Sequence, residues 1–173
     1  MTLIRHSTES DLPAILAIYA HHVLHSTATF ETEAPSLEDM LARRGDVLSK
    51  GLPYLVIAIK GEVMGFAYAN WFKPRAAYRF TCENSIYLRH DAAGQGLGKL
   101  LLAELLAQLE RGGIRKVMAV IGGSDNLASI GLHRSLGFTR AGLIENYGWK
   151  FDRWIDLVLM QRSLGLGASQ TPI

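Results

Sequence analysis

The chain has 173 residues, 49% of them hydrophobic and 20% charged, with a formal net charge of +2. That is one domain's worth of chain, with apolar content enough for a sizeable core, and its small, scattered charge lacks the basic stripe that a nucleic-acid partner requires. A lone Cys82 excludes an internal disulfide and a cysteine zinc site, and an N-terminus that turns polar at once fits neither a signal peptide nor a membrane span, so a cytoplasmic protein without a metal is expected.

In chain order, "TLIRH" predicts a first strand. Thr8, with Asp11 three residues later, predicts a capping box that opens an amphipathic helix through Leu12, Ile15, Leu16, Tyr19 and Val23. Ser36 and Asp39 repeat that signal for a second helix. "YLVIAIK" and "VMGFAYANW", around Gly61-Glu62, predict a hairpin rather than a crossover unit. "FTCENSIYL" predicts a further strand, followed by a glycine-rich turn and a long helix from Leu97 to Arg111 that ends at Gly112-Gly113. "KVMAVIG" then predicts a strand and "ASIGLHRSLGF" a short helix stopped at Gly137, and two strands near 138–147 and 153–162 close the domain. The order predicts an α/β domain with a mixed sheet over residues 1–164, and residues 165–173 read as a mobile tail.

The turn "AAGQGLGK" puts Gly94, Gly96 and Gly98 between a strand and a helix N-terminus. Unpaired amides and the helix dipole make such a place attractive to phosphate oxygens, and glycines remove the Cβ atoms that would hold a phosphate off. The amides of Gln95, Gly96, Gly98 and Lys99 are the candidates to converge on it. It is not a Walker loop, because Gly94 and Gly98 enclose three residues rather than four and Leu100 follows Lys99. It is a poor dinucleotide fingerprint, because it lies mid-chain after a hairpin. By itself the triplet is equally compatible with a plain tight turn.

"SIYLRHDAAGQGLGKLL", read with "VIGGSDNLASIGLHRSLGF", resembles the GNAT superfamily of acetyl-CoA-dependent N-acetyltransferases. "FKPRAAYRFTCENSIYL" and "GWKFDRWIDLVLMQ" resemble, within it, the branch that acetylates phosphinothricin and methionine sulfoximine, and the similarity runs over about residues 3–164. The resemblance implies a mixed, mostly antiparallel sheet with a splayed central strand pair flanked by helices. It also implies acetyl-CoA as co-substrate, its pyrophosphate held by the 93–99 turn, Leu97 included, and its pantetheine arm paired with the backbone of Ile86, Tyr87 and Leu88. Asn126 and Ser129 match pantetheine-contacting positions, although an N-cap role suits them as well. Ala93 departs from the usual Arg or Gln of the turn, which removes one side-chain contact to the pyrophosphate.

Glu83 is the carboxylate of an otherwise apolar strand, on the same face as Ser85 and Tyr87, and the resemblance makes it the general base. On the strand alone a solvated or salt-bridged glutamate fits equally. His133 stands where many relatives carry a tyrosine near the sulfur, so the resemblance implies a proton donor to the thiolate or a coenzyme contact, although a helix histidine satisfied by a neighbouring carbonyl fits equally. Lys73, Arg75 and Tyr78, in a loop before Glu83, match the branch's run for anionic, glutamate-like acceptors, and Phe30 matches an aromatic wall of the acceptor pocket; on the residues alone the cations read as an ordinary solvated loop and Phe30 as core. Trp149, Lys150 and Trp154 either close that pocket or serve a homodimer interface, which is common in the branch.

The expected activity is therefore acetyl transfer to the α-amine of a small amino-acid analogue such as phosphinothricin, arsinothricin or methionine sulfoximine, a detoxification or resistance function. The alternatives are acetylation of a protein N-terminus or ribosomal protein, and a non-catalytic acetyl-CoA-binding regulator. His21, His22 and His25 lack a third ligand partner and read as solvent-facing or packed histidines rather than a zinc site.

Overall fold

A computed structural model describes residues 2–172. Its strands are β1 (Thr2–His6), β2 (Tyr54–Ile59), β3 (Glu62–Trp71), β4 (Thr81–Leu88), β5 (Lys116–Gly122), β6 (Thr139–Lys150) and β7 (Arg153–Ser163). The helices are α1 (Leu12–His25), α2 (Leu37–Ser49), α3 (Leu97–Arg111) and α4 (Leu127–Ser135). The seven strands form one sheet in the order β1-β2-β3-β4-β5-β7-β6. Every pairing is antiparallel except β4 with β5, which α3 joins as a crossover.

That parallel pair decides the shape of the site. Its ladder runs from Thr81↔Lys116 to Asn84↔Ala119 and stops there, although β4 continues to Leu88 and β5 to Gly122. The two strands separate beyond Asn84, and their facing backbone edges open into a cleft.

Two apolar faces hold the sheet. Tyr54, Tyr68, Phe66 and Tyr87 form an aromatic ladder across β2, β3 and β4, with Tyr54 stacked on Tyr68 at 4.8 Å and Phe66 on Tyr87 at 5.2 Å. Tyr19 of α1 meets Tyr87 edge-on at 5.0 Å and completes that layer. The opposite face packs α3 through Leu101, Leu102, Leu105 and Leu109, all buried, at the spacing of one helical stripe.

The capping signals act as expected, with one refinement. The Asp11 carboxylate accepts from the Thr8 amide at 2.7 Å and from both Arg5 Nη atoms, at 2.7 and 2.8 Å. The short turn Glu9–Asp11 is a 3-10 helix, so α1 proper starts at Leu12. The Arg5 fork, helped by Thr8, draws the Asp11 carboxyl down to about 2. The last hairpin differs from its predicted bounds. β6 extends to Lys150 because Phe151 and Asp152, both at φ 54°, make the tight turn, while Gly148 continues the strand. Leu164 is buried, and Gly167–Ser169 form a 3-10 turn after β7.

Candidate active site

A cavity of about 480 Å³ occupies the cleft between β4 and β5. Its walls unite the start of α3, the free end of β4, the end of β5, the start of α4 and the segment after α1. Most of the predicted site residues meet there: Phe30, Glu83, Ile86, Tyr87, Leu88, Ala93, Gly94, Gly96, Leu97, Gly98, Asn126, Ser129 and His133. Gln95 and Lys99 do not line it; Gln95 turns outward, its Nε2 donating to the Asp91 carbonyl at 3.3 Å. Lys73, Arg75 and Tyr78 are exposed in the loop between β3 and β4, outside the walls. Trp149 and Trp154 also stand outside, exposed and edge-on to each other at 5.4 Å.

The glycine turn has the left-handed backbone its sequence demanded. Gly94 and Gly96 sit at φ 77° and 75°, left-handed backbone that glycine adopts without strain. Gly96 is the N-cap of α3 and supplies no side chain to the first-turn amides, and a Cβ at Gly94 or Gly96 would meet open space. Those amides and the positive end of the helix dipole therefore face the cavity mouth unclaimed, and they suit a pyrophosphate.

Glu83 is half-buried on β4 at the last paired stretch before the strands part. Burial pushes its carboxyl above the ordinary value, against the pull of the Lys73 ammonium. A carboxylate made more basic, in a cavity with an anion cradle, has what a general base for an amine needs.

The His133 ring is held from both sides. The ring is 2% exposed, with Nδ1 2.8 Å from the Ser129 carbonyl and Nε2 3.0 Å from Asn84 Nδ2. A carbonyl only accepts, so Nδ1 carries the hydrogen and Nε2 accepts from the Asn84 amide. Burial lowers the imidazole pKa, which keeps it neutral. With its one proton committed to Ser129, this ring ties α4 to β4. Asn126 caps α4, its side chain accepting from the Ser129 amide at 3.2 Å, so capping and cavity lining are one role.

Sequence reasoning missed several wall residues, among them His22, Thr27, Thr29 and the β5 run from Ala119 to Gly122. His22 donates from Nε2 to the Leu88 carbonyl at 2.7 Å, so it is packed at the cleft. Its signal was present, since Ile15, Tyr19 and His22 follow the i, i+4, i+7 spacing of the helix's buried stripe. No group of three or more His, Cys, Asp or Glu suited to a metal exists among the described residues.

The parted strand pair thus opens a cavity that joins the glycine turn at the start of α3 to the half-buried Glu83 carboxylate. The chain belongs to the GNAT acetyltransferase family: the model of the acetyltransferase (GNAT) domain matches residues 4–159. It is 51% identical over 164 residues to a phosphinothricin N-acetyltransferase from Alcaligenes faecalis, covering 95% of this chain and 83% of that protein. It is 41% identical to an L-methionine sulfoximine/L-methionine sulfone acetyltransferase from Pseudomonas aeruginosa, covering 93% of this chain and 94% of that one. Among solved structures, a phosphinothricin acetyltransferase from Sinorhizobium meliloti in complex with AcCoA superimposes with a TM-score of 0.97 at 42% identity, covering 99% and 93% of the two chains. The protein is an acetyltransferase with the α/β GNAT fold.

Proposed function

We propose that this enzyme moves the acetyl group of acetyl-CoA to the α-amine of a small, glutamate-like amino-acid analogue of the phosphinothricin, arsinothricin or methionine sulfoximine kind, as a detoxification reaction in the cytoplasm. The observation that carries the reading is Glu83, a desolvated carboxylate in the same cavity as the Gly94–Gly98 cradle. A binding-only regulator has no use for such a base. The names of the relatives support the acceptor class.

Bound acetyl-CoA supplies the thioester carbon that the amine attacks, forming the C–N bond as the C–S bond breaks. The α3 amides would hold the pyrophosphate, and the β4 backbone edge beyond Asn84, at Ile86–Leu88 where only the Leu88 carbonyl is taken by His22, would pair with the pantetheine arm. Glu83 takes a proton from the substrate ammonium, directly or through one water, and solvent protonates the departing thiolate. Lys73 and Arg75 meet the acceptor's acidic end when it enters over their loop, and Phe30 bounds it on the far side.

A second reading has one observation in its favour. A ribosomal-protein-alanine N-acetyltransferase from Brucella melitensis superimposes with a TM-score of 0.91 at 40% identity. The deciding experiment follows thiol release from acetyl-CoA with a panel of acidic amino-acid analogues, methionine derivatives and N-terminal alanine peptides. Turnover of the small analogues, with Lys73→Ala and Arg75→Ala raising the acceptor KM roughly tenfold and leaving that of acetyl-CoA in place, supports the proposal. Turnover of the peptides alone supports the second reading, and binding of acetyl-CoA with no turnover of any amine supports a regulator.

Residues 1–164 are read as the single catalytic domain, with 165–173 an appended tail. The enzyme is further read as a homodimer without nucleic-acid or membrane partners; no described helix is long and apolar enough to cross a membrane. The support for a dimer is the outer face of the hairpin at the sheet edge, where Tyr147, Trp149 and Trp154 are each more than half exposed. Light scattering at micromolar concentration should return twice the chain mass, and Trp154→Glu should return it to the monomer; a monomeric wild type sinks the dimer.

A further inference from the structure

Lys150 is 4% exposed, yet it lines no part of the cavity. Its Nζ donates to the carbonyls of Ser26 and Thr29, at 2.8 Å each, and no carboxylate forms an ion pair with it among the described residues. An ammonium buried without a counter-ion is costly, and it persists only where fixed dipoles replace water. Here those dipoles are two carbonyls of the irregular segment that follows α1, a stretch with no strand or helix partner to satisfy them.

The same segment is pressed on the sheet at two further points. A Cβ at Gly122 would run into the Thr27 carbonyl, and a Cβ at Gly148 would run into the Phe30 ring. The Thr27 hydroxyl donates to the Gly122 carbonyl at 2.8 Å. At its far end, Glu31 accepts from the Tyr19 hydroxyl at 2.9 Å and from Arg43 at 2.6 Å. Thr27, Thr29 and Phe30, which face the cavity, are thus placed by groups behind them.

We propose that Lys150 is the positioning residue of the acceptor pocket: its ammonium clasps the Ser26–Thr29 carbonyls and presents Thr27, Thr29 and Phe30 as a preformed wall. A wall built in advance spares the acceptor the cost of ordering it on binding, so the clasp is felt in acceptor affinity rather than in coenzyme affinity. This deepens the proposed function and rests on its placing of the acceptor beside Phe30.

The test compares the full-length wild type with Lys150→Met, which keeps the aliphatic stem and removes the three donors. Amide hydrogen exchange of peptides covering residues 26–31 should accelerate at least about tenfold while β4 and α3 keep their protection. With the amine that the wild type acetylates best, the acceptor KM should rise about tenfold, kcat should fall less, and the KM of acetyl-CoA should stay within about twofold. Should Lys150→Met fail to fold, Lys150→Gln carries the same test, because its shorter amide keeps a polar end in the buried site and cannot span the Ser26 and Thr29 carbonyls as the ammonium does. Unchanged exchange at 26–31, or equal rises in both KM values, overturns the clasp. A wild type inert toward small acidic analogues overturns the proposed function instead, and the clasp is then judged on exchange and on whichever amine of the panel is turned over.

Discussion

Glu83→Gln is expected to lower kcat by roughly 10²- to 10⁴-fold, the usual worth of a positioned general base, while the acetyl-CoA dissociation constant stays within about twofold. Glutamine keeps the shape and the hydrogen-bonding capacity of the side chain and loses only its basicity. Coenzyme affinity is spared because the cradle at the start of α3 and the β4 backbone edge do not depend on that carboxylate. The pH profile checks the same assignment. The active form is the ionised carboxylate, so activity appears as pH rises through the Glu83 pKa. Burial lifts that pKa and the Lys73 ammonium lowers it. The acidic limb of kcat/KM should therefore lie above the ordinary carboxylate range, and Lys73→Ala should move it higher still. A Glu83→Gln enzyme with wild-type turnover, or a limb indifferent to Lys73, would remove Glu83 from the mechanism.

Gly96→Val is expected to weaken acetyl-CoA binding about 10- to 100-fold, equivalent to losing one charge-assisted hydrogen bond at about 1.5–3 kcal/mol. Gly96 has φ 75° and open space where a Cβ would stand. A valine there meets no protein atom, but it costs about 1–2 kcal/mol in left-handed backbone and stands over the α3 amides. Two measurements separate these effects. Thermal melting reports the backbone cost, and calorimetric titration, well below the melting temperature, reports the affinity. A variant that melts earlier and still binds coenzyme normally would show that the pyrophosphate is held elsewhere.

The features legible in the sequence are those governed by neighbours along the chain. Two apolar runs around Gly61-Glu62 predicted the hairpin of β2 and β3, and Ser36 with Asp39 started α2, because a capping box is closed by residues three apart. The Gly94–Gly98 cradle was legible for the same reason: left-handed backbone and a helix start are local conditions, and they hold whatever surrounds them. Gly148 shows the limit. Locally a glycine weakens a strand, whereas here it continues β6 past its predicted end near 147 and is the place where Phe30 lies against the sheet.

His133 shows the limit more sharply. Its motif located it at the cavity, and the Ser129 carbonyl one helical turn back fixes its hydrogen on Nδ1, but the partner of its other nitrogen is Asn84, 49 residues away. His22 reaches the Leu88 carbonyl across 66 residues, and Lys150 reaches Ser26 across 124.

The sequence by itself determined the order of elements, the phosphate-seeking turn and the strand that bears Glu83, since short-range backbone preferences specify them. Only the tertiary structure decided how far β4 and β5 part, that Asn84 meets His133, and that a buried lysine stands behind Thr27, Thr29 and Phe30. Those outcomes follow from strand register and crossover geometry, which bring together groups whose separation in the chain leaves no local pattern to read.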